Sequence, residues 1–240
     1  MRSTIAVGIF CKTPAAGLSK TRLSPPLRLE ECAALSACFI RDLTQTIGEV
    51  AQDGSATGYA VYTPRGTGDA LSQLLPAGFC LHPQCDGDFG ARLATAMREL
   101  LALHAGVILV NADSPTLPAS ILRDAVQAVR TRTSVVLSPA LDGGYTLIGL
   151  PAMQEELFVG IPWSTATVYG DTVARAGKLG LPVVNVPGWY DVDDAGSLDL
   201  LLAELGGKGL TFTQLRGAPA SATRAHLAQR IAYAALEMVK

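Results

Sequence analysis

The feature that most constrains this chain is a regular alternation, through its first two-thirds, of short apolar runs with longer stretches of helical period. Residues 5–11 (I-A-V-G-I-F-C) read as a buried strand, and residues 29–50 then place Leu35, Phe39, Leu43 and Ile47 on one helical face. Strands are expected at 58–63 and 79–82, followed by a helix carrying Leu93, Met97, Leu100 and Leu101. Residues 106–111 (G-V-I-L-V-N) form the clearest strand, and 118–130 a helix with Pro118 in its first turn, where a missing N–H costs nothing. Another strand is expected at 135–138. Strands separated by helices of this length pair in parallel, with helices on both faces of the sheet, which is an α/β architecture.

Beyond residue 138 the pattern changes. A D-G-G turn at 142–144 between two apolar runs, 135–138 and 145–150, predicts a hairpin and one antiparallel strand. A helix near 167–178, a strand at 181–186 and the acidic segment W-Y-D-V-D-D (189–194) follow, with a further helix from Ala195. The expected organisation is one domain over 1–205, then 206–240 as a linker and C-terminal helix packed on or beside that domain. The linker-like stretch is 206–222, and the helix, 223–239, turns Leu227, Ile231, Ala234 and Ala235 to one side.

Composition narrows the functional classes. At 240 residues, with 49% hydrophobic and 17% charged residues, the chain can bury one large core. A net charge of −2 argues against nucleic-acid binding, which needs a basic face. Five cysteines without C-x-x-C spacing, and three scattered histidines, suggest free thiols and neither a disulfide framework nor a zinc site. The opening residues do not read as a signal peptide. The longest apolar run is about half of the ~20 residues a spanning helix requires, so no membrane span and a cytoplasmic location are expected.

Three segments meet the rule that ligands of an open α/β sheet bind beyond the carboxyl ends of its parallel strands. The first is the loop F-C-K-T-P-A-A-G-L-S-K-T-R-L (10–23), with Lys12, Lys20 and Arg22 and no acid. It lacks the adjacent Gly-Lys of a Walker loop, and no G-x-G-x-x-G follows the first strand. It nevertheless has the parts for holding phosphates: Gly17 lets the backbone approach closely, and Lys20 and Arg22 deliver charge near a helix start. A solvated loop is the competing reading. The second segment is N-A-D-S-P (111–115), where Asp113 is either a turn former or a ligand. The third is D-V-D-D, where Asp191, Asp193 and Asp194 gather without a nearby base. Carboxylates gathered in this way repel unless a cation neutralises them, and hard oxygen ligands suit Mg²⁺ or Mn²⁺. One of the three acids is expected to cap the helix from Ala195. D-G-G-Y and Trp163-Ser-Thr read by themselves as a hairpin turn and a packed aromatic. Gln84 and G-D-F-G-A-R-L (87–93), with Asp88 as a helix cap, call for no function.

The set F-x-K-x-P-x-x-G-x-x-K-T-R-L, N-A-D-S-P-x-L-P, D-G-G-Y-x-L-I-G-L, W-S-T and D-V-D-D resembles the DUF2064 family of GT-A-fold proteins, within the nucleotide-diphospho-sugar transferase superfamily. The resemblance runs from about Ile5 to Leu205, and the opening loop is also similar to that of phospholactate guanylyltransferases. It implies a Rossmann-like three-layer sandwich with a mixed, mostly parallel sheet that binds a nucleotide at its N-terminal half. It further implies a divalent metal on Asp113, with Asp193 as the second acid. Two departures stand out: Ala15-Ala16-Gly17 is poorer in glycine than the common nucleotidyltransferase loop, and D-V-D-D replaces the usual D-V-D-T.

The combined expectation is a Mg²⁺-dependent (or Mn²⁺-dependent) transferase acting on a nucleoside triphosphate or nucleotide sugar, with nucleotidyl transfer slightly favoured. Lys12, Gly17, Lys20, Arg22 and Asp113 would bind the nucleotide, and Lys20, Arg22 and Asp113 would serve catalysis. Asp113 and Asp193 would hold the metal, and Asp142, Tyr145 and Trp163 would line the side of a small-molecule acceptor. A glycosyltransferase and a non-catalytic nucleotide-binding module are the alternatives, and homodimerisation is left open.

Overall fold

A computed structural model describes residues 4–130 and 134–237, with side chains through residue 230. The elements run β1 (Ile5–Lys12), α1 (Leu29–Ala51), β2 (Ala56–Thr63), α2 (Gly68–Ser72), β3 (Cys80–Pro83), α3 (Phe89–Leu101) and β4 (Gly106–Asn111). They continue through α4 (Ala119–Arg130), β5 (Val135–Pro139), β6 (Tyr145–Leu150), α5 (Val168–Lys178), β7 (Val183–Asn185), α6 (Ala195–Leu205) and α7 (Ser221–Glu237). Short 3-10 turns occupy Thr21–Leu23 and Glu155–Phe158.

The strands form one seven-stranded sheet in the order β3-β2-β1-β4-β6-β5-β7. Every neighbouring pair is parallel except those of β6, which runs antiparallel to both β4 and β5. The hairpin expected at D-G-G is therefore present. Its returning strand inserts between β4 and β5.

Alternate side chains of the strands feed two cores. Ile5, Val7 and Ile9 of β1 pack with α1, α4 and α6 on one face, together with Leu227 of α7. Ala6 of the same strand, with Val107 and Leu109 of β4, packs with α3 and Ala176 of α5 on the other. The result is a three-layer α/β sandwich, as the alternation of runs predicts. No described helix is long and apolar enough to cross a membrane.

Two local features were not spelled out by the sequence pattern. The short helix α2 escapes a periodicity argument because its five residues make little more than one turn. The 206–222 segment lies against the domain: the Ala218 N–H donates to the Thr116 carbonyl at 2.8 Å, and Phe212 packs on Trp189 and Tyr190. α7 is tied to α1 by buried Asp42, whose carboxylate accepts from the N–H groups of Ala222 (2.9 Å) and Thr223 (2.8 Å) at the helix start. Residues 238 and 239, the expected end of that helix, lie outside the described residues. So do the side chains of Ile231, Ala234 and Ala235.

Candidate active site

The loops after β1, β3 and β4, the 140–144 turn and the segment after β7 come together at the carboxyl-end edge of the parallel strands. The β1 loop turns at Gly17, whose φ of +75° is a conformation L side chains rarely adopt. Lys20 follows with φ 52°, ψ 34°, left-handed for a residue with a Cβ. That strained backbone is held by the side chain. The Lys20 ammonium donates to Asp113 Oδ1 at 2.6 Å, Asp193 Oδ1 at 2.7 Å and the Val192 carbonyl at 2.7 Å. All three of its protons are thereby engaged, and the side chain is only 6% exposed. Burial pulls its pKa down, but Asp113 and Asp193 together outweigh burial and leave it above the ordinary lysine value. Arg22, exposed, donates from Nη2 to Asp193 Oδ2 at 2.6 Å.

The acidic segment is placed by the two aromatics that precede it. Trp189 and Tyr190 are fully buried: Trp189 Nε1 donates to Thr116 Oγ1 at 3.1 Å, and the Tyr190 hydroxyl donates to Glu204. The Val192 N–H then donates to the Asp113 carbonyl at 2.9 Å, which stitches the segment to the β4 loop. The choice among its acids follows. Asp194 caps α6, accepting from the Ser197 N–H at 2.9 Å, whereas Asp193 turns toward Lys20 and Arg22. Asp113 is set in its own turn, its N–H donating to Asn111 Oδ1 at 3.2 Å.

Two bays meet over these residues. A basic bay of about 470 Å³ lies under the β1 loop, lined by Lys12, Lys20, Arg22, Gln84 and Arg92 among others. An adjoining bay of about 440 Å³ is acidic and aromatic, lined by Asp142, Asp191, Phe89, Tyr145, Trp163 and Ile148 among others. Arg22, Asp113, Asp193, Phe10, Phe89 and Ser164 belong to both.

In the acidic bay, oxygens of Asp142, Asp191 and Asp193 all lie within 4.8 Å of one another. Burial first, and then the charges of Asp142, Asp193 and Asp113, raise the Asp191 pKa to about 7. Three acids so close want a counter-cation, and their all-oxygen donor set fits a hard divalent ion. The pair expected to hold a metal, Asp113 with Asp193, instead has a lysine ammonium between its carboxylates. The strongest acidic grouping includes Asp142, which sequence reasoning placed on the acceptor side.

The remaining expected residues fall as follows. Lys12, exposed at the end of β1, lines the basic bay. Asp142 has a second role, its Oδ1 accepting from the Gly144 N–H at 2.8 Å, so the hairpin reading of D-G-G was also sound. Gly143 (φ +89°) is required there, since a Cβ would stand 2.0 Å from the Ala166 carbonyl oxygen. Tyr145 offers its ring, but its hydroxyl is buried beside Thr172 and unavailable to a ligand. Trp163 packs at a tilt against Phe89 with centroids 5.1 Å apart, and Ser164 after it takes a left-handed φ of 65°. Sequence reasoning gave no role to Gln84 and Arg92, which line the basic bay. The available signal was an arginine four residues past the Asp88 cap of α3, where the helix dipole disfavours a cation.

Fold and site define a class, the nucleotide-diphospho-sugar transferase type of α/β sandwich. The "putative nucleotide-diphospho-sugar transferase" of Desulfovibrio desulfuricans G20 superimposes with a TM-score of 0.80 at 27% identity, over 97% of this chain and 96% of that one. CMP:2-keto-3-deoxy-manno-octonic acid synthetase complexed with CTP matches at TM-score 0.54 and 12% identity, over 85% of this chain and 99% of its own. The 4-diphosphocytidyl-2C-methyl-D-erythritol synthase of Anaerococcus prevotii DSM 20548 matches at 0.55 and 10%, over 85% and 99%. The last two likenesses are of fold alone. No curated protein matches the sequence. The family model described as "Uncharacterized protein conserved in bacteria (DUF2064)" matches residues 46–165, half of the chain. The protein belongs to the DUF2064 family.

Proposed function

We propose that this protein is a nucleotidyltransferase that binds a nucleoside triphosphate in the basic bay and an acceptor in the acidic one. The observation that carries the reading is the junction itself: two bays of opposite charge share Asp113, Asp193 and Arg22, so a bond between their occupants would lie over those residues. The resemblance to nucleotide-diphospho-sugar transferases supports a transferase. In the reaction an acceptor oxygen attacks the α-phosphorus, the α–β phosphoanhydride bond breaks, and pyrophosphate leaves toward the cationic loop. Arg22 and Lys12 stabilise the negative charge that develops there.

Asp191, Asp193 and Asp142 would hold a divalent cation, Mg²⁺ or Mn²⁺. When bound, such an ion neutralises phosphate charge and lowers the barrier to displacement. Lys20 has to exchange partners for Asp113 to join that set: only by releasing the two carboxylates can its ammonium turn to the phosphates. A nucleotide donor and free cysteines support a cytoplasmic location.

One observation favours a second reading, transfer of a sugar from a nucleotide sugar. The single cation lining the acidic bay among the described residues, Arg22, is already bonded to Asp193, while aromatic faces and carboxylates are what sugar hydroxyls use. Incubation with Mg²⁺ and a panel of nucleoside triphosphates, nucleotide sugars and acceptors separates the two. Acceptor-dependent pyrophosphate release is expected. Release of a nucleoside diphosphate from a sugar donor establishes the second reading, and binding without either product leaves a nucleotide-binding module.

A further inference from the structure

Gln84 and Arg92 are the part of the basic bay that the β1 loop does not supply. Gln84, 3% exposed, donates from its amide nitrogen to the carbonyls of Cys11 (3.2 Å) and Val61 (2.9 Å). Those two bonds fix which way its side-chain oxygen points. That oxygen accepts from Arg92 Nη1 at 2.9 Å, and the guanidinium lies against the Phe89 ring, 5.8 Å from its centroid. The backbone of Gln84 is held as well, its N–H donating to the Tyr62 carbonyl (2.8 Å) and its carbonyl accepting from Arg65 Nε (3.0 Å).

Arg92 is therefore aimed, but it is not neutralised. No carboxylate pairs with it among the described residues, and its Nε is buried without an acceptor. Lys20 and Arg22 are already bonded to carboxylates, so Lys12 and Arg92 are the cations of this bay that carry uncompensated charge. A guanidinium held in one plane suits two oxygens of a phosphate. Hydrogen bonds to a charged acceptor are also about twice as strong as those to a neutral base edge.

We propose that Arg92, positioned by Gln84, is a phosphate contact of the donor nucleotide, so that the anion lies between α3 and Lys12. This rests on the nucleotide reading of the bay and adds the residue that anchors the phosphates from outside the loop. A transferase of this build loads its donor on Lys12 and Arg92 while Lys20 still occupies Asp113 and Asp193.

The test is calorimetric titration with inorganic triphosphate, a nucleoside triphosphate and the corresponding nucleoside, with the melting temperature of each unliganded variant as the check on folding. Arg92→Ala weakens inorganic triphosphate by about tenfold or more. Arg92→Lys keeps the charge without the fork, recovers part of the loss, and serves if the alanine variant does not fold. Gln84→Ala weakens triphosphate several-fold in the wild-type background and has no further effect in Arg92→Ala, a coupling that a merely structural glutamine would not produce. Arg92→Ala that binds inorganic triphosphate as the wild type does overturns the proposal, whatever happens to the nucleoside. A wild type that binds neither triphosphate nor any nucleoside triphosphate overturns the nucleotide reading itself, and this contact with it.

Discussion

The basic and acidic bays share a wall yet stand in opposite electrostatic states. The basic bay sets four cations, Lys12, Lys20, Arg22 and Arg92, against two carboxylates, Asp113 and Asp193. Its pairing is concentrated at the junction, and the uncompensated charge lies away from it, on Lys12 and Arg92. Among the described residues, the acidic bay sets four carboxylates, Asp113, Asp142, Asp191 and Asp193, against Arg22 alone. Burial first, and then the crowding of these charges, raise the Asp191 pKa to about 7, so that a proton relieves part of the excess below that pH. One bay is thus ready for an anion as it stands, whereas the other becomes comfortable only with a proton or a cation. Because Asp193 bonds both Lys20 and Arg22, an anion drawing on those cations frees a carboxylate next door. Binding in the two bays is expected to be coupled through that residue.

The largest effect should come from removing the shared carboxylate that bonds both Lys20 and Arg22. Asp193→Ala is expected to lower product formation by about 10³-fold, measured as pyrophosphate or nucleoside diphosphate release, since both bays lose a group they have in common. A variant with near-normal turnover would mean that the junction is not where bond exchange occurs.

Next is Lys20→Met in the unliganded protein. It leaves two carboxylates facing each other without their ammonium and should cost about 2 kcal/mol by chemical denaturation. The value sits below that of a fully buried pair because Asp113 and Asp193 remain 36% and 29% exposed and solvent screens them. Lys12→Ala, on the same loop but without a carboxylate partner, should stay within about 0.5 kcal/mol of the wild type. Equal losses for the two lysines would erase the distinction drawn between them.

A smaller effect, visible in pH, tests the acidic bay. The folded-state pKa of Asp191 is raised above its unfolded value near 3.8, so the metal-free protein binds that proton more tightly when folded. The associated stability is full below the unfolded value and is lost as pH rises through about 7. Asp191→Asn removes this loss. Its advantage over wild type, with chelator present, should grow between about pH 4 and pH 7 and level off above, reaching on the order of 1 kcal/mol after screening. An advantage that shrinks with rising pH contradicts the crowding of these acids. Adding Mg²⁺ or Mn²⁺ at pH 8 should raise the wild-type melting temperature more than that of Asp193→Ala.

Much of this could be read along the chain, because strands and helices announce themselves by local period. The apolar runs at 5–11 and 106–111 became β1 and β4, the hairpin at D-G-G formed, and Asp88 capped its helix. The four loop and strand-end residues Lys20, Arg22, Asp113 and Asp193 were singled out by their charge at the ends of buried strands, and the fold does bring them together. What the pattern does not disclose is partnership. Lys20 was expected to face phosphates, and in the unliganded protein it is saturated by acids 93 and 173 positions away. Gln84 and Arg92 looked like an ordinary helix opening, since nothing local shows that Gln84 is locked by Cys11 and Val61. The 206–222 stretch read as a linker because small and polar residues mask its few anchors, among them Phe212.

By itself, then, the sequence determined the α/β class and the placing of an anion-suited loop beside acids at one edge of the sheet, because both rest on spacing and charge within a few residues. Only the tertiary structure decided which cation faces which carboxylate, that β6 threads between β4 and β5, and that the site divides into bays of opposite charge. Those outcomes depend on distances between residues remote in the chain. Coulomb and hydrogen-bond energies are settled by such distances, to which local pattern is blind.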